Sequence, residues 1–264
     1  MTELLEDDQL DLADMPDTAP FSVVVTYHSN IQCLVSILNN LQSQLLPPRR
    51  IIIIDTSHNK SGLDIARRFN TGNTEIIVEC AKVNIQEAWN RGIELAGTDD
   101  VLICNDDLLL PINTTDIFLI ARSSVSALCY VPSTPPRDHF ADYVRTPFSW
   151  FARVPNSISD FSLTGWMSGF CFNLTREAID KVGVFDTGFK VWFGDTDYEA
   201  RLLEYGAKND IPGIVKLESC FVYHFGGKSY KYQSPEVQKL IEEDRDYFAE
   251  KYGISKEELL NVDK

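Results

Sequence analysis

Two short acidic runs contain the residues best suited to chemistry. The first, Asn105-Asp106-Asp107, ends the apolar stretch VLIC, and the second, Gly194-Asp195-Thr196-Asp197, follows an aromatic pair. Adjacent carboxylates raise each other's pKa unless water or a cation compensates their charge. Mg²⁺ or Mn²⁺ would suit these oxygen ligands and would also bind a diphosphate. Taken alone, the first run is better explained as a polar turn, because Asn and Asp are common in turns.

The second acidic run is a candidate for general-base chemistry. Asp195 could take a proton from a hydroxyl group, and the neighbouring Trp192, Phe193 and Tyr198 could desolvate it. Aspartates at a helix start also accept backbone N–H groups and favour the helix dipole. We expect one of the two acids, Asp195 or Asp197, to have only that capping role.

Two further polar residues end apolar runs. His224 follows Phe-Val-Tyr and precedes Phe-Gly-Gly-Lys-Ser, where it could contact a metal or a diphosphate, although a lone histidine is more often structural or exposed. Asp55 ends a run of four isoleucines. It could accept a hydrogen bond from a ribose or a base, and a turn residue is an alternative of equal weight.

The elements that would position these residues alternate between strand and helix. Apolar runs predict strands over 21–27, 51–55, 74–80 and 100–106, and the helical pattern predicts helices over 31–44, 63–69 and 84–96. Such alternation builds a parallel sheet covered on both faces. Ligands bind beyond the carboxyl ends of these strands. We therefore expect the site at the loops 27–30, 55–62, 81–84 and 105–108.

The second half of the chain is less regular. The segments GFCFNLT and KLESCFVYHF predict strands, REAIDKVG and DTDYEARLLEYG predict helices, and residues 235–264 predict charged helices. Residues 132–165 lack a period and are rich in Pro, Ser and aromatic residues. A long irregular segment is usually functional. It contains aromatic and arginine side chains of the kind that stack on sugars or bases: Arg137, Arg145, Trp150, Phe151 and Arg153. A surface loop without specificity is an alternative of equal weight.

Composition excludes several classes of protein. The net charge is −15, and a negative field repels phosphate backbones, so non-specific nucleic-acid binding is disfavoured. The six cysteines show no metal-type spacing, which favours buried free thiols and a reducing cytoplasm. No signal peptide and no apolar run of about 20 residues is seen. No glycine follows the first strand in TYHSN, which argues against a nucleotidyltransferase or a dinucleotide-binding oxidoreductase.

The order of these segments resembles the family 2 glycosyltransferases, which have the GT-A fold. SVVVTYHSN and IIIIDTSHNKSG look like that family's first two nucleotide loops, and VNIQEAWNRGIELAGTDDVLICNDD resembles its helix leading into the acidic metal motif. GWMSGFCFNLTREAIDKVGVFDTGFKVWFGDTDYEARLLEYG is similar to the acceptor-side block. FVYHFGGKS and DYFAEKYG resemble its late segments. The likeness runs from about residue 21 to residue 253.

The resemblance implies an α/β, GT-A-like fold with a mostly parallel central sheet, helices on both faces and a smaller acceptor-side sheet region. Four segments follow: an acidic tail (1–19), a nucleotide-sugar-binding half (20–131), an acceptor-binding and catalytic half (132–232) and a helical C-terminal segment (233–264). The implied enzyme is an inverting, metal-dependent, cytoplasmic glycosyltransferase. Its acceptor would be a glycan or glycan precursor. A modified nucleic-acid base as acceptor and a catalytically weak sugar-nucleotide-binding relative are the alternatives.

The resemblance also implies roles for single residues. Donor contacts fall on five of them: Tyr27, Asp55, Asn90, Arg91 and Asp106. Asp107 would bind Mn²⁺ or Mg²⁺ with His224 as a second ligand, and Asp195 would be the base. Acceptor contacts fall on Trp166, Trp192 and Asp197. We expect Asp107 and His224 to converge with the later acidic turn on one cleft.

Three positions depart from the family pattern. Asn105 replaces an Asp, Ile85 stands where a Gly is common, and Gly194 replaces a Glu that usually precedes the base. The last departure leaves Asp197 as a competitor of Asp195 and makes a weakly active relative conceivable.

Overall fold

The computed structural model describes residues 17–57, 61–70, 74–134, 161–226, 234–255 and 259. The first half alternates strands and helices: β1 (Ala19–Tyr27), α1 (Ile31–Gln42), β2 (Pro48–Asp55), α2 (Ser61–Phe69), β3 (Glu75–Cys80), α3 (Ile85–Ala96), β4 (Asp100–Asn105), β5 (Leu108–Leu109) and α4 (Thr114–Ser124). The second half contains β6 (Cys129–Ser133), β7 (Phe161–Leu163), β8 (Cys171–Leu174), α5 (Arg176–Val182), α6 (Gly194–Asn209), β9 (Ile214–Phe221), β10 (Tyr223–His224) and α7 (Pro235–Tyr252).

The strands form one eight-stranded sheet in the order β3-β2-β1-β4-β8-β6-β9-β7. The pairs among β3, β2, β1 and β4 are parallel, and β8 then joins β4 in the antiparallel sense. Both predicted halves of the chain therefore contribute to a single sheet. A separate two-stranded sheet pairs β5 with β10.

The helices cover both faces of the large sheet because side chains alternate along each strand. In β1, Val23 and Val25 pack in the cluster with α1, whereas Val24 packs in the opposite cluster with Trp89 of α3. At Gly92 of α3 an added Cβ atom would lie 2.3 Å from Cγ1 of Val24, so this helix sits directly on the sheet. The predicted fold class is confirmed.

Local sequence signals explain where the helices begin. Asn84 and Glu87 form a capping box at the start of α3, and Thr175 and Ser234 cap α5 and α7 with their hydroxyl groups. Each of these three cap residues has extended backbone angles. No helix of the described residues is long and apolar enough to cross a membrane.

Candidate active site

Asp107 and His224 meet at the carboxyl end of β4. The chain turns after Asn105, and β5 then pairs with β10 so that Leu108 lies opposite His224. The Phe225 N–H group donates to the carbonyl oxygen of Asp107 over 3.0 Å. Through this pairing, Nε2 of His224 lies 3.1 Å from Oδ1 of Asp107. The expected convergence of these two residues is therefore observed.

The environment of the pair fixes the imidazole. Asp107 is buried and His224 is partly exposed. The ring of Phe170 stacks on the imidazole with centroids 4.7 Å apart. A carboxylate and an imidazole held at one position form a donor set that suits Mn²⁺ or Mg²⁺ only in part.

The remaining ligands would have to come from elsewhere. The described residues contain no group of three or more His, Cys, Asp or Glu side chains that could hold a metal ion. Mg²⁺ normally keeps several waters and takes one or two carboxylates together with substrate phosphates. The Asp107–His224 pair therefore fits a metal whose coordination is completed by a diphosphate and water.

The predicted donor contacts on β1 and β2 lie beside each other. Tyr27 and Asp55 are register partners at the carboxyl ends of their strands, and both are buried. The Asp55 carboxylate accepts the N–H groups of Ser57 and Gly62, each over 2.8 Å. An added Cβ at Gly62 would lie 2.7 Å from this carboxylate, so the loop closes tightly on Asp55. These bonds give Asp55 a structural role, and its donor contact stays a prediction.

The two predicted donor-binding residues of α3, Asn90 and Arg91, form hydrogen bonds and ion pairs with other groups of the protein. Asn90 donates to the carbonyl oxygen of Phe185 and accepts its N–H group, both over 2.8 Å. Arg91 pairs with Glu79 over 2.6 Å and with Glu94. The Asn90 bonds tie α3 to the segment after α5. The predicted contacts of Asn90 and Arg91 with the donor stay predictions, as does that of the buried Asp106.

Asp195 lies in the first turn of α6 and is half-buried. The N–H of Thr196 donates to its Oδ1 over 3.0 Å. An added Cβ at Gly169 would lie 2.3 Å from its Oδ2, so the loop before β8 touches the carboxylate. Burial raises the pKa of Asp195, and backbone hydrogen bonds from Thr196 and Gly169 partly offset this effect. A carboxylate with raised proton affinity is a better general base.

Asp197, by contrast, is fully buried in an ion network. Its carboxylate lies 2.9 Å from Nε of Arg201 and 2.6 Å from Nζ of Lys251, and the Tyr252 hydroxyl donates to it over 2.9 Å. These groups join α6 to α7. Because every partner belongs to the protein and no surface is left, the carboxylate is not presented to an acceptor in this structure. The geometry favours Asp195 over Asp197 as the base.

Glu199 was missed by the sequence analysis. It lies one helical turn after Asp195 and accepts the N–H group of Met167 in the loop before β8. Burial raises its pKa to about 7, and the charge of Asp195 adds to this increase. The i, i+4 spacing from Asp195 was a signal available in the sequence.

The two predicted acceptor tryptophans are both exposed. Trp166 is 69% exposed and lines a cavity of about 290 Å³ beside β6 and β9. Trp192 is 41% exposed, and its backbone N–H group donates to Asp244 of α7. The arginines and aromatic residues predicted for acceptor binding between 137 and 153 lie outside the described residues. No finding tests the acceptor roles, which stay predictions.

The packing around position 194 explains why this residue is a glycine. An added Cβ atom there would lie 2.3 Å from Nε2 of Gln86, a buried residue in the first turn of α3. Gln86 therefore occupies the space that a side chain at position 194 would need.

Comparison with solved structures supports the fold. The chain is similar to GalNAc-T7 solved with UDP, GalNAc and Mn²⁺ (TM-score 0.59, 14% identity, 88% of this chain and 50% of that chain). It is also similar to residues 1–349 of S. aureus TarS (0.55, 16%, 85% and 65%). A third similar structure is the mannosyltransferase PcManGT from Pyrobaculum calidifontis with GDP-Man and Mn²⁺ (0.51, 17%, 77% and 60%). The chain thus spans about half to two thirds of these chains.

The fold is of the GT-A type. Residues 22–120 match the family model described as glycosyl transferase family 2, so the resemblance seen in the sequence is confirmed. Comparison with curated protein sequences gives no match.

Proposed function

We propose that this chain transfers a sugar from a nucleoside-diphosphate sugar to a hydroxyl group of a glycan or glycan precursor, with Mn²⁺ or Mg²⁺ as cofactor. The observation that carries the proposal is the Asp107–His224 pair, with 3.1 Å between Oδ1 and Nε2, at the carboxyl end of a parallel sheet. Ligands of open α/β sheets bind at this edge. Two of the similar structures, solved with UDP or GDP-Man and Mn²⁺, support the same chemistry.

Each residue has a chemical task in the proposed reaction. Asp195 takes the proton from the acceptor hydroxyl, and the acceptor oxygen attacks the anomeric carbon from the side opposite the leaving group, which inverts the configuration. Asp107 and His224 would hold the metal. When bound, it would stabilise the negative charge on the leaving diphosphate. The Asp107 carboxylate is buried, which limits competition from bulk water for its contacts.

Hydrolysis of donor sugars tests the proposal without a known acceptor, because water replaces the acceptor. We expect one of UDP-, GDP- or dTDP-hexoses to release nucleoside diphosphate only with Mn²⁺ or Mg²⁺. Asp107→Ala should reduce the rate at least about 100-fold, in line with loss of electrostatic stabilisation of the leaving group. Asp64→Asn removes a 77% exposed carboxylate and is the control. Hydrolysis that is independent of metal and of Asp107 contradicts the proposal, and absence of all hydrolysis favours a sugar-nucleotide-binding relative.

A cytoplasmic location is part of the same proposal. All six cysteines are free thiols, and Cys104, Cys129, Cys171 and Cys220 are buried. Disulfides are rare in reducing compartments. The sulfur atoms of Cys104 and Cys171 lie 3.8 Å apart, at hydrogen-bond distance and without a disulfide bond. Fractionation of cells that express the tagged chain checks this location.

A further inference from the structure

We propose that the cavity beside Trp166 is an acceptor subsite that binds one uncharged sugar ring. This assignment depends on the transferase function proposed above and narrows its acceptor to a neutral carbohydrate. The cavity has a volume of about 290 Å³, at the lower end of the range for small-molecule sites. That volume fits one ring better than an extended chain.

The lining of the cavity has the two kinds of surface that a sugar ring needs. Trp166 presents a flat apolar ring system that is 69% exposed, and hydroxyl groups come from Thr134, Thr164 and Ser168. A pyranose has an apolar C–H face and a rim of hydroxyl groups. The indole would cover the face, while the side-chain hydroxyls would exchange hydrogen bonds with the rim.

The charge of the cavity argues against a phosphate-bearing acceptor. Lys216 is the cation among the described lining residues, and its Nζ lies 2.9 Å from Oε2 of Glu218. Glu218 also accepts the hydroxyl groups of Ser162 and Ser133 over 2.6 and 3.2 Å. These hydrogen bonds, with that from Lys216, lower the pKa of Glu218, so it stays ionised and neutralises the lysine. Among the described lining residues, a nucleic acid or a lipid phosphate would find no cation without a carboxylate partner.

One short loop joins the cavity to the reacting groups. Phe170 lines the cavity and stacks on the imidazole of His224. Its neighbour Gly169 touches the Asp195 carboxylate. Glu199 holds the same loop through the N–H group of Met167. The cavity and the candidate site thus share Phe170, and the loop 167–170 connects a ring bound against Trp166 to the candidate base and the candidate metal ligand.

The loop also orients Trp166 itself. The backbone N–H of Trp166 donates to Oγ1 of Thr164 over 3.2 Å, which shapes the turn that carries the indole. The indole remains exposed although the rest of the turn is tied down. The backbone of the turn is held by this bond, and the indole has only two side-chain torsions to order when a ligand stacks on it.

Saturation-transfer difference NMR on the full chain tests the subsite with weakly binding probes. The probes are the methyl glycosides of glucose, galactose, mannose and N-acetylglucosamine, with uridine and adenosine as base probes. We expect at least one glycoside to bind. Trp166→Ala should weaken its Kd at least about 10-fold, as expected for loss of a stacked aromatic anchor, and Trp166→Tyr should retain most of the affinity. Leu45→Ala, which truncates a 64% exposed side chain, should leave it unchanged.

Binding of UDP and GDP with Mn²⁺ is measured on the same samples. Nucleotide binding without glycoside binding, or glycoside binding that Trp166→Ala does not weaken, overturns the subsite and leaves the transferase proposal standing. Binding of uridine or adenosine that depends on Trp166 overturns the carbohydrate assignment in favour of a base acceptor. If the unmodified chain binds neither the nucleotides nor any glycoside, the transferase proposal is contradicted as well.

Discussion

Two aspartates of one acidic run have different surroundings, and this difference predicts different consequences of their removal. Asp195 accepts backbone N–H groups of Thr196 and Gly169 and is half-buried, whereas Asp197 is enclosed by Arg201, Lys251 and Tyr252. The first is placed to receive a proton from an external hydroxyl. The second stabilises the packing of α6 against α7. From the sequence alone, either aspartate could be the general base, because both follow Gly194 within one helical turn.

Exchange of each aspartate for asparagine separates chemistry from stability. We expect Asp195→Asn to lower kcat by about 10²–10⁴-fold, because a general base is lost, with donor KM unchanged. Asp197→Asn should instead destabilise the fold by about 3 kcal/mol, since it leaves buried cations without their partner. Acceptor-dependent kinetics and thermal unfolding measure the two effects. Full activity of Asp195→Asn, or a purely kinetic defect of Asp197→Asn, contradicts these assignments.

Glu199 gives a prediction about the pH dependence of stability. Its pKa is raised from 4.5 to about 7 on folding, mainly by burial, so the folded chain binds the proton more tightly than the unfolded chain. Stability is therefore lost as the pH rises from about 4.5 through about 7. Glu199→Gln keeps an acceptor for the Met167 N–H group and removes this loss. We expect it to stabilise the fold by about 1 kcal/mol at pH 8, a value reduced for solvent screening, and to change little at pH 4.5.

Melting temperatures at the two pH values measure this effect. A stabilisation of about 1 kcal/mol corresponds to about 2–4 °C for a chain of this size. An equal shift at pH 8 and pH 4.5 would show that Glu199 does not titrate in this range. Glu204→Gln is the matched control on the same helix, because Glu204 is exposed and pairs with Lys208.

At the scale of elements, α7 holds the segment that leads into α6. Asp244 of α7 is buried and accepts the N–H groups of Lys190, Val191 and Trp192 over 2.7–2.9 Å. These bonds fix the chain just before the left-handed residue Phe193, which has φ 62° and is the N-cap residue of α6. The position of Asp195 therefore depends on α7, a helix that follows about 40 residues later in the sequence.

Removal of the Asp244 carboxylate tests this dependence. We expect Asp244→Ala to destabilise the fold by about 2–3 kcal/mol, because three partly buried N–H groups lose a charged acceptor. Below its melting temperature the variant should also show a lowered kcat, since the first turn of α6 is no longer fixed. Glu243→Gln, which changes the exposed neighbour paired with Lys190, is the control. A loss of stability with unchanged kcat contradicts the positioning role.

The contact between α3 and α6 gives a second prediction at this scale. Gly194→Ala places a Cβ atom within van der Waals overlap of Gln86, so we expect a loss of about 1–3 kcal/mol. Gln86→Ala in the same chain should recover part of that loss, because it removes the overlapping atoms. Unfolding of the four members of this double-mutant cycle gives the coupling free energy. Additive effects would show that the two residues do not compete for the same space.

At the scale of the whole molecule, the sequence predicted what depends on short-range patterns. Apolar strands and periodic helices in the first half are found within a few residues of their predicted bounds, because each is set by local hydrophobic periodicity and caps. The predicted strand KLESCFVYHF is broken instead, since β9 ends at Phe221 and Tyr223–His224 leaves to pair with β5. Pairing between distant segments leaves no local signal.

The same limit applies to the site. The meeting of Asp107 with His224 could be expected only through the family resemblance, because β5 and β10 are too short to be seen as strands. The bonds of Asn90 to Phe185 and of Asp244 to residues 190–192 join segments far apart in sequence. From its residue type alone, a polar side chain such as Asn90 can be expected to contact a ligand. Only the fold shows that its hydrogen bonds are made to another part of the chain.

The most direct test of the central claim is nucleotide binding at the Asp107–His224 pair, measured by thermal shift. A ligand that binds only the folded chain raises its stability by about 2.7 kcal/mol at 100 times Kd. We predict that UDP, GDP or dTDP raises the melting temperature by about 5 °C or more with Mn²⁺ and has little effect without it. Asp107→Ala and His224→Ala should abolish the shift, and Asp64→Asn should retain it. A shift of equal size without metal, or in the two site variants, would contradict a metal-assisted diphosphate site.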